Sequence, residues 1–145
     1  MYIRKIEKQD LNILADLFVS VFNSEPWNEN WTEQWAYERL NIIFQSYGFY
    51  GYVAEEEGMP IGAVFSRVGS YKGILELEVI ENYVSGNAQR KGVGEALMNE
   101  LKLQAKKEGV SCFVLQTDKT TFAKNFYLKY GFEGHEENLL MSHEF

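Results

Sequence analysis

The chain is poor in residues that staple or stiffen a fold. Its 145 residues hold one cysteine, Cys112, and two prolines. A lone cysteine excludes an intrachain disulfide and makes a reducing cytoplasm the expected setting. No apolar run approaches the ~20 residues of a membrane span. The opening run Met1-Tyr2-Ile3-Arg4-Lys5-Ile6-Glu7 lacks the apolar stretch of a signal peptide, so no membrane partner is expected. Basic residues are also scarce: 14 Lys and Arg against 21 Asp and Glu give a net charge of −7. That balance weighs against nucleic acid as the main partner and favours a cationic small molecule. His135 and His143 have no metal-ligand spacing with cysteine or acidic residues, so no metal is expected. What is abundant is apolar surface, with 46% hydrophobic and 15% aromatic residues. These proportions predict one globular domain over residues 1–145 with a core of its own.

The pattern along the chain alternates between strand and helix. Tyr2 to Glu7 alternates as a strand. Asp10 is placed to cap a helix whose apolar positions Leu11, Leu14, Phe18, Val21 and Phe22 follow helical spacing. Asn23 to Trp31 breaks that period, and Thr32 is placed to cap a second helix carrying Trp35, Leu40, Ile43 and Phe44. Strands follow at Tyr50 to Glu55, Ile61 to Val68 and Leu75 to Val84, separated by turns at Glu57 to Pro60 and at Tyr71 to Gly73. A helix from Val93 to Lys107 is closed by Gly109. Val110 to Gln116 reads as a strand that buries Cys112, and Thr121 to Lys129 as a short helix. Two last strands are expected at Gly131 to Glu136 and Leu139 to His143. This order belongs to an α/β domain with a mixed sheet.

Two local features point to chemistry. The first is Gln89-Arg90-Lys91-Gly92-Val93-Gly94, followed by Glu95, set between a strand and a helix. A helix start carries unpaired N–H groups and the positive end of the dipole, which together suit a phosphate or pyrophosphate. Gly92 and Gly94 leave no Cβ in the way of an approaching anion, and Arg90 and Lys91 add positive charge. The dinucleotide pattern G-x-G-x-x-G and the P-loop pattern are both absent. The second feature is in the strand before that loop. Leu75, Leu77 and Val79 share one face, but that phase fails to reach Val84. One extra residue between Val79 and Val84, a β-bulge, absorbs the slip.

The Q-x-x-G-x-G loop resembles the acyl-CoA pyrophosphate loop of the GNAT family of N-acetyltransferases. Ala123-Lys124-Asn125-Phe126-Tyr127-Leu128-Lys129-Tyr130-Gly131-Phe132 resembles that family's C-terminal motif through Ala123, Phe126, Tyr127, Gly131 and Phe132. The element order is also that of the GNAT fold. The resemblance is strongest from Leu75 to Phe132, and residues 1 to 60 match in outline. It implies a mixed, mostly antiparallel sheet of six to seven strands with four helices and a bulged, splayed central strand. It implies acetyl-CoA as co-substrate, held by Val84, Gln89, Arg90, Lys91, Gly92, Val93, Gly94 and Glu95. Glu78 falls on the family's general-base position and Tyr127 on that of the acid that protonates the leaving thiolate. Glu76 and Glu81 stand as alternative bases. The family often has Asn seven residues before the tyrosine. Here that residue is Thr120, which would supply a weaker contact to CoA or cap the helix.

In such a family the segment between the first two helices builds the acceptor wall. Glu25, Trp27, Glu29 and Trp31 lie there and suit a cationic amine through charge and cation–π contact. Glu76 joins them on the acceptor side. The function expected is acetyl transfer to the primary amine of a small cationic acceptor, such as an aminoglycoside or a polyamine. A protein lysine or N-terminal acetyltransferase and a catalytically silent acyl-CoA sensor remain the alternatives, and a homodimer is left open.

Overall fold

The computed structural model describes all residues from Met1 to Phe145. Its strands are β1 (Tyr2–Lys5), β2 (Phe49–Glu56), β3 (Met59–Tyr71), β4 (Ile74–Val84) and β5 (Val110–Val114). Its helices are α1 (Leu11–Phe22), α2 (Glu33–Phe44), α3 (Val93–Lys107) and α4 (Ala123–Tyr130). The strands form one sheet in chain order β1-β2-β3-β4-β5, antiparallel up to β4 and parallel between β4 and β5. Strand alternation sends side chains to both faces, and each face has its own core. Val53, Ala63, Phe65 and Tyr83 pack under α1 and α2 with Leu11, Leu14, Phe18 and Leu40. Tyr52, Ala54, Val64, Leu77 and Val79 pack under α3 with Leu97, Met98 and Leu101.

Two helix starts differ in how they are secured. Thr32 caps α2 as expected, its hydroxyl accepting from Trp35 N–H at 3.1 Å. Asp10 makes no such cap. Its carboxylate instead accepts from the Arg4 guanidinium at 2.8 and 2.9 Å and from Glu7 N–H at 2.7 Å. Arg4 also bonds Glu55, so this cluster ties the first strand and helix to β2.

The expected bulge is present. Phe65 pairs with Glu81 and the next residue, Ser66, with Val79, so Ile80 is the extra residue of β4. Its effect is to exchange the faces of the strand. Leu77 and Val79 point to the α3 core, whereas Tyr83 points to the α1–α2 core and Val84 to the α3 core. A second expected feature, the splay, is also present. Pairing between β4 and β5 runs only from Leu75 to Glu78. From Val79 to Val84, β4 has no neighbour on that side.

The sheet has five strands rather than six to seven. Residues 131–145 after α4 form no strand, and Leu139, Leu140 and Met141 are exposed. The physical reason lies in the pattern: these three apolar residues are consecutive rather than alternating, and Gly134 and four glutamates surround them. With nothing beyond β5, Cys112 is exposed rather than buried. Its Sγ lies 4.0 Å from Glu76 Oε2.

Candidate active site

The loop from Gln89 to Glu95 follows the end of β4. Gln89 Nε2 donates to Val84 C=O at 3.0 Å and ties the loop to the strand. Arg90 and Gly92 both have positive φ, 63° and 83°. Alternation of this kind turns successive N–H groups toward one side, the geometry of an anion nest. The first bond of α3 runs from Ala96 N–H to Gly92 C=O at 2.9 Å. The N–H groups of Val93, Gly94 and Glu95 therefore have no backbone acceptor. Lys91 and Arg90 are exposed beside them. A Cβ on Gly94 would stand 3.4 Å from the Phe126 ring, so the glycine also seats α4 against α3. Gly62 does the same for α3 on the sheet: a Cβ there would meet Tyr83 C=O and Val93 at 3.1 Å.

Tyr127 comes from α4 and stands against the splayed part of β4. Burial pushes its hydroxyl pKa up to about 12; the nearby Asn82 amide opposes this as a donor, and the charge of Glu81 adds to it. Asn82 Oδ1 is buried and has no hydrogen-bond partner. Thr120 is exposed, and its hydroxyl bonds Asp118 at 2.5 Å. Thr121 Oγ1, 3.3 Å from Ala123 N–H, secures the start of α4.

The three candidate carboxylates have different surroundings. Glu76 lies near the β5 end, beside Cys112. Glu78 is the last β4 residue paired with β5. Its side chain is 47% exposed and lies 3.3 Å from Arg67. Glu81, just past the bulge, is only 11% exposed and meets Arg39 Nε at 2.5 Å. Burial raises the Glu81 pKa, Arg39 opposes the rise, and the charge of Glu29 adds to it.

Glu29 belongs to the segment between α1 and α2. Asn23, at the end of α1, clamps the segment by bonding both Trp31 N–H (2.6 Å) and Trp31 C=O (2.9 Å). The Trp31 indole N–H donates to Glu29 at 3.0 Å. Trp31 packs edge-on against Phe18, and Trp27 against Phe22 and against Phe122, just ahead of α4. An open hollow of ≈ 580 Å³ is lined by Trp27, Asn28, Glu29, Asn30, Trp31 and Trp35. Trp35 lines the hollow with 57% exposure and does not pack in the core its helical spacing suggested. Glu25 is exposed and outside that lining.

Asn82, Arg39 and Phe122 belong to this arrangement and went unread in the sequence. Asn82 had a signal, since asparagine is disfavoured within a strand. Arg39 had none, because its partner lies 42 residues away.

The family model described as "Acetyltransferase (GNAT) domain" matches residues 6–143. The chain belongs to the GNAT acetyltransferase family, and so to the acyltransferases. Three solved structures with this fold illustrate its spread. A transcriptional regulator from Bacillus halodurans C-125 superposes with a TM-score of 0.81 at 19% identity, covering 98% of this chain and 99% of its own. An aminoglycoside acetyltransferase from an uncultured soil metagenomic sample, solved with sisomicin, gives 0.77 at 22% identity over 99% and 95%. A ribosomal-protein-alanine N-acetyltransferase from Brucella melitensis biovar Abortus 2308 gives 0.80 at 17% over 99% and 100%. No curated protein matches the chain in sequence. No helix is long and apolar enough to cross a membrane.

Proposed function

We propose that this GNAT protein transfers the acetyl group of acetyl-CoA directly to a primary amine of a small polycationic acceptor, an aminoglycoside or polyamine in type. One observation carries this reading: Glu29, which lines the hollow of three tryptophans, is near enough for its charge to act on the buried carboxylate of Glu81, and the glycine loop lies at the end of the same strand. Acids beside aromatic faces attract cations, while the α3 N-terminus with Arg90 and Lys91 attracts a pyrophosphate.

The chemistry follows from charge. An alkyl ammonium titrates near ~10, so the acceptor arrives protonated and must lose a proton before it attacks. Glu78, where β4 and β5 part, takes that proton through water. Its exposure keeps it in contact with solvent, to which the proton then passes. The neutral nitrogen attacks the thioester carbon and an oxyanion forms. The N–H groups on the unpaired edge of β4, between Val79 and Val84, stabilise it. Collapse breaks the carbon–sulfur bond, Tyr127 gives its proton to the departing thiolate, and the nitrogen gives up its second proton through water, which restores the tyrosine. Burial keeps that hydroxyl protonated until it is needed. The products are an acetamide and free CoA. The proposed setting is the cytoplasm, where the exposed Cys112 stays a thiol.

The test is acetyl-CoA turnover, read as free thiol, against a panel of polyamines, aminoglycosides, peptides with free lysines and neutral amines. Turnover with polycations above the rest supports the reading. Turnover with peptides alone moves the acceptor to proteins.

A further inference from the structure

Two arginines on this protein hold buried carboxylates in very different ways. Arg4 makes five hydrogen bonds, to Asp10, Glu55 and Lys5 C=O, and is 29% exposed. Arg39 makes one, through Nε to Glu81, and is 42% exposed. The first is a fixed part of the fold, spanning β1, α1 and β2. The second is a single contact from a long, solvent-open side chain on α2. A buried carboxylate stripped of its cation is costly, so Glu81, whose burial favours its neutral form, keeps its charge only beside a counter-ion. It does not need this one. Trp35 and Arg39 are four residues apart on α2 and so are neighbours on one helix face. Trp35 lines the hollow with Trp27 and Trp31, so Arg39 and its partner Glu81 lie one helical turn along α2 from that lining.

We propose that Arg39 is an exchangeable counter-ion: in the free protein its guanidinium occupies the place on Glu81 that the acceptor's ammonium takes on binding. The proposal rests on the amine-acceptor reading and adds the residue that selects the amine. A cation entering along the tryptophan faces meets Glu81 and releases Arg39 to solvent, and the carboxylate remains paired throughout. A neutral or anionic compound cannot make the exchange, because it would leave Glu81 bare. The selectivity is therefore for a primary ammonium small enough to follow the aromatic wall, with Glu29 assisting from the same wall.

All three tryptophans of the chain line the hollow, so intrinsic fluorescence reports its occupancy without any turnover. Spermidine is titrated against the parent, Arg39→Gln, Arg39→Lys and Glu81→Gln at pH 8, with Arg67→Gln as a control for the general electrostatic field. Exchange predicts tighter spermidine binding to Arg39→Gln by roughly tenfold, as expected when a competing charge is deleted from a close pair. Arg39→Lys stays near the parent, and Glu81→Gln loses saturable binding. Methylguanidinium should displace spermidine from Arg39→Gln at concentrations that leave the parent unaffected. Unchanged or weaker binding to Arg39→Gln overturns the proposal. So does an equal gain in Arg67→Gln, which would make the effect one of net charge. The outcome separates from that of the functional reading. The predicted fluorescence pattern without acetyl-CoA turnover would sink acetyl transfer and keep the exchange, and turnover without any Arg39 effect would do the reverse.

Discussion

The two faces of β4 are built to opposite rules. Toward α3 and α4 the strand presents Val79, Asn82 and Val84, beside two glycines, two basic residues and bare N–H groups. Toward α1 and α2 it presents Glu81 and Tyr83, beside tryptophans and Glu29. One side suits an anion held by backbone, the other a cation held by side chains. The bulge at Ile80 is what allows a single strand to do both, because it sends Glu81 and Tyr83 to the face that regular alternation would deny them. In the proposed reaction the two substrates are recognised by different kinds of group. Damage on one side should leave binding on the other intact.

The largest effect expected is on the backbone side. Gly94→Glu sets a side chain and a negative charge against the pyrophosphate and crowds Phe126, already 3.4 Å from a bare Cβ. Calorimetry should show acetyl-CoA affinity falling by roughly 100-fold or more, about 2.7 kcal/mol, with spermidine binding retained. Loss of both together would break the comparison.

Next in size are the carboxylates. Glu78→Gln should lower kcat by ~100-fold, within the range for a lost general base, with acetyl-CoA affinity kept and the rate recovering at high pH as free amine becomes abundant. If Glu78→Gln turns over like the parent and the carboxylate at Glu76 or Glu81 proves essential to kcat, the base has been misplaced along the strand.

Tyr127→Phe should cost less, ~10-fold in turnover at the low end of acid–base effects, and the penalty should shrink for donors whose thiol leaves more readily. With a hydroxyl pKa of about 12, the tyrosine keeps its proton across the working range. The rate should therefore show no alkaline fall from its ionisation below pH 10. Stability shows the same asymmetry. The unfolded phenol ionises near ~10, so the stability tied to its burial is full below that pH and is lost as pH rises toward 12. A titration placing the Tyr127 phenol near 10 in the folded protein would contradict its burial.

The smallest effect belongs to the rim. Replacing Glu25 and Glu29 by Gln should raise KM for a polycation a few-fold and leave KM for acetyl-CoA alone. Added salt should shrink the difference, since exposed charges are screened over ~8 Å at physiological ionic strength. Glu29, bonded to the Trp31 indole, should account for most of it, and a single Glu25→Gln variant with the full effect would show the hollow to be wrongly bounded.

How much of this was legible in the sequence follows from the range of each interaction. The loop at Gln89 to Glu95, the cap at Thr32 and the slip before Val84 are local patterns, and the structure contains all three. Asp10 was read as a cap because its position is right for one. The Arg4 guanidinium and Glu7 N–H claim it instead, and Arg4 is held in place by Glu55, far off in sequence. The last two strands were read from short stretches, one with Phe132 as its single apolar residue and one with Leu139, Leu140 and Met141 adjacent rather than alternating, and no partner strand receives them. Glu81 could be ranked beside Glu76 and Glu78, but its burial depends on α2 lying across the bulge. Arg39, Asn82 and Phe122 join the site only through contacts made by the finished fold.

Direct transfer requires both sides of β4 to be loaded at once, so initial rates measured while acetyl-CoA and a polyamine are both varied test it most directly. Direct transfer in a ternary complex predicts intersecting double-reciprocal lines, with acetylated polyamine and free CoA formed in equal amounts. Parallel lines, with CoA released before the amine is added, would show an acetylated enzyme and contradict it.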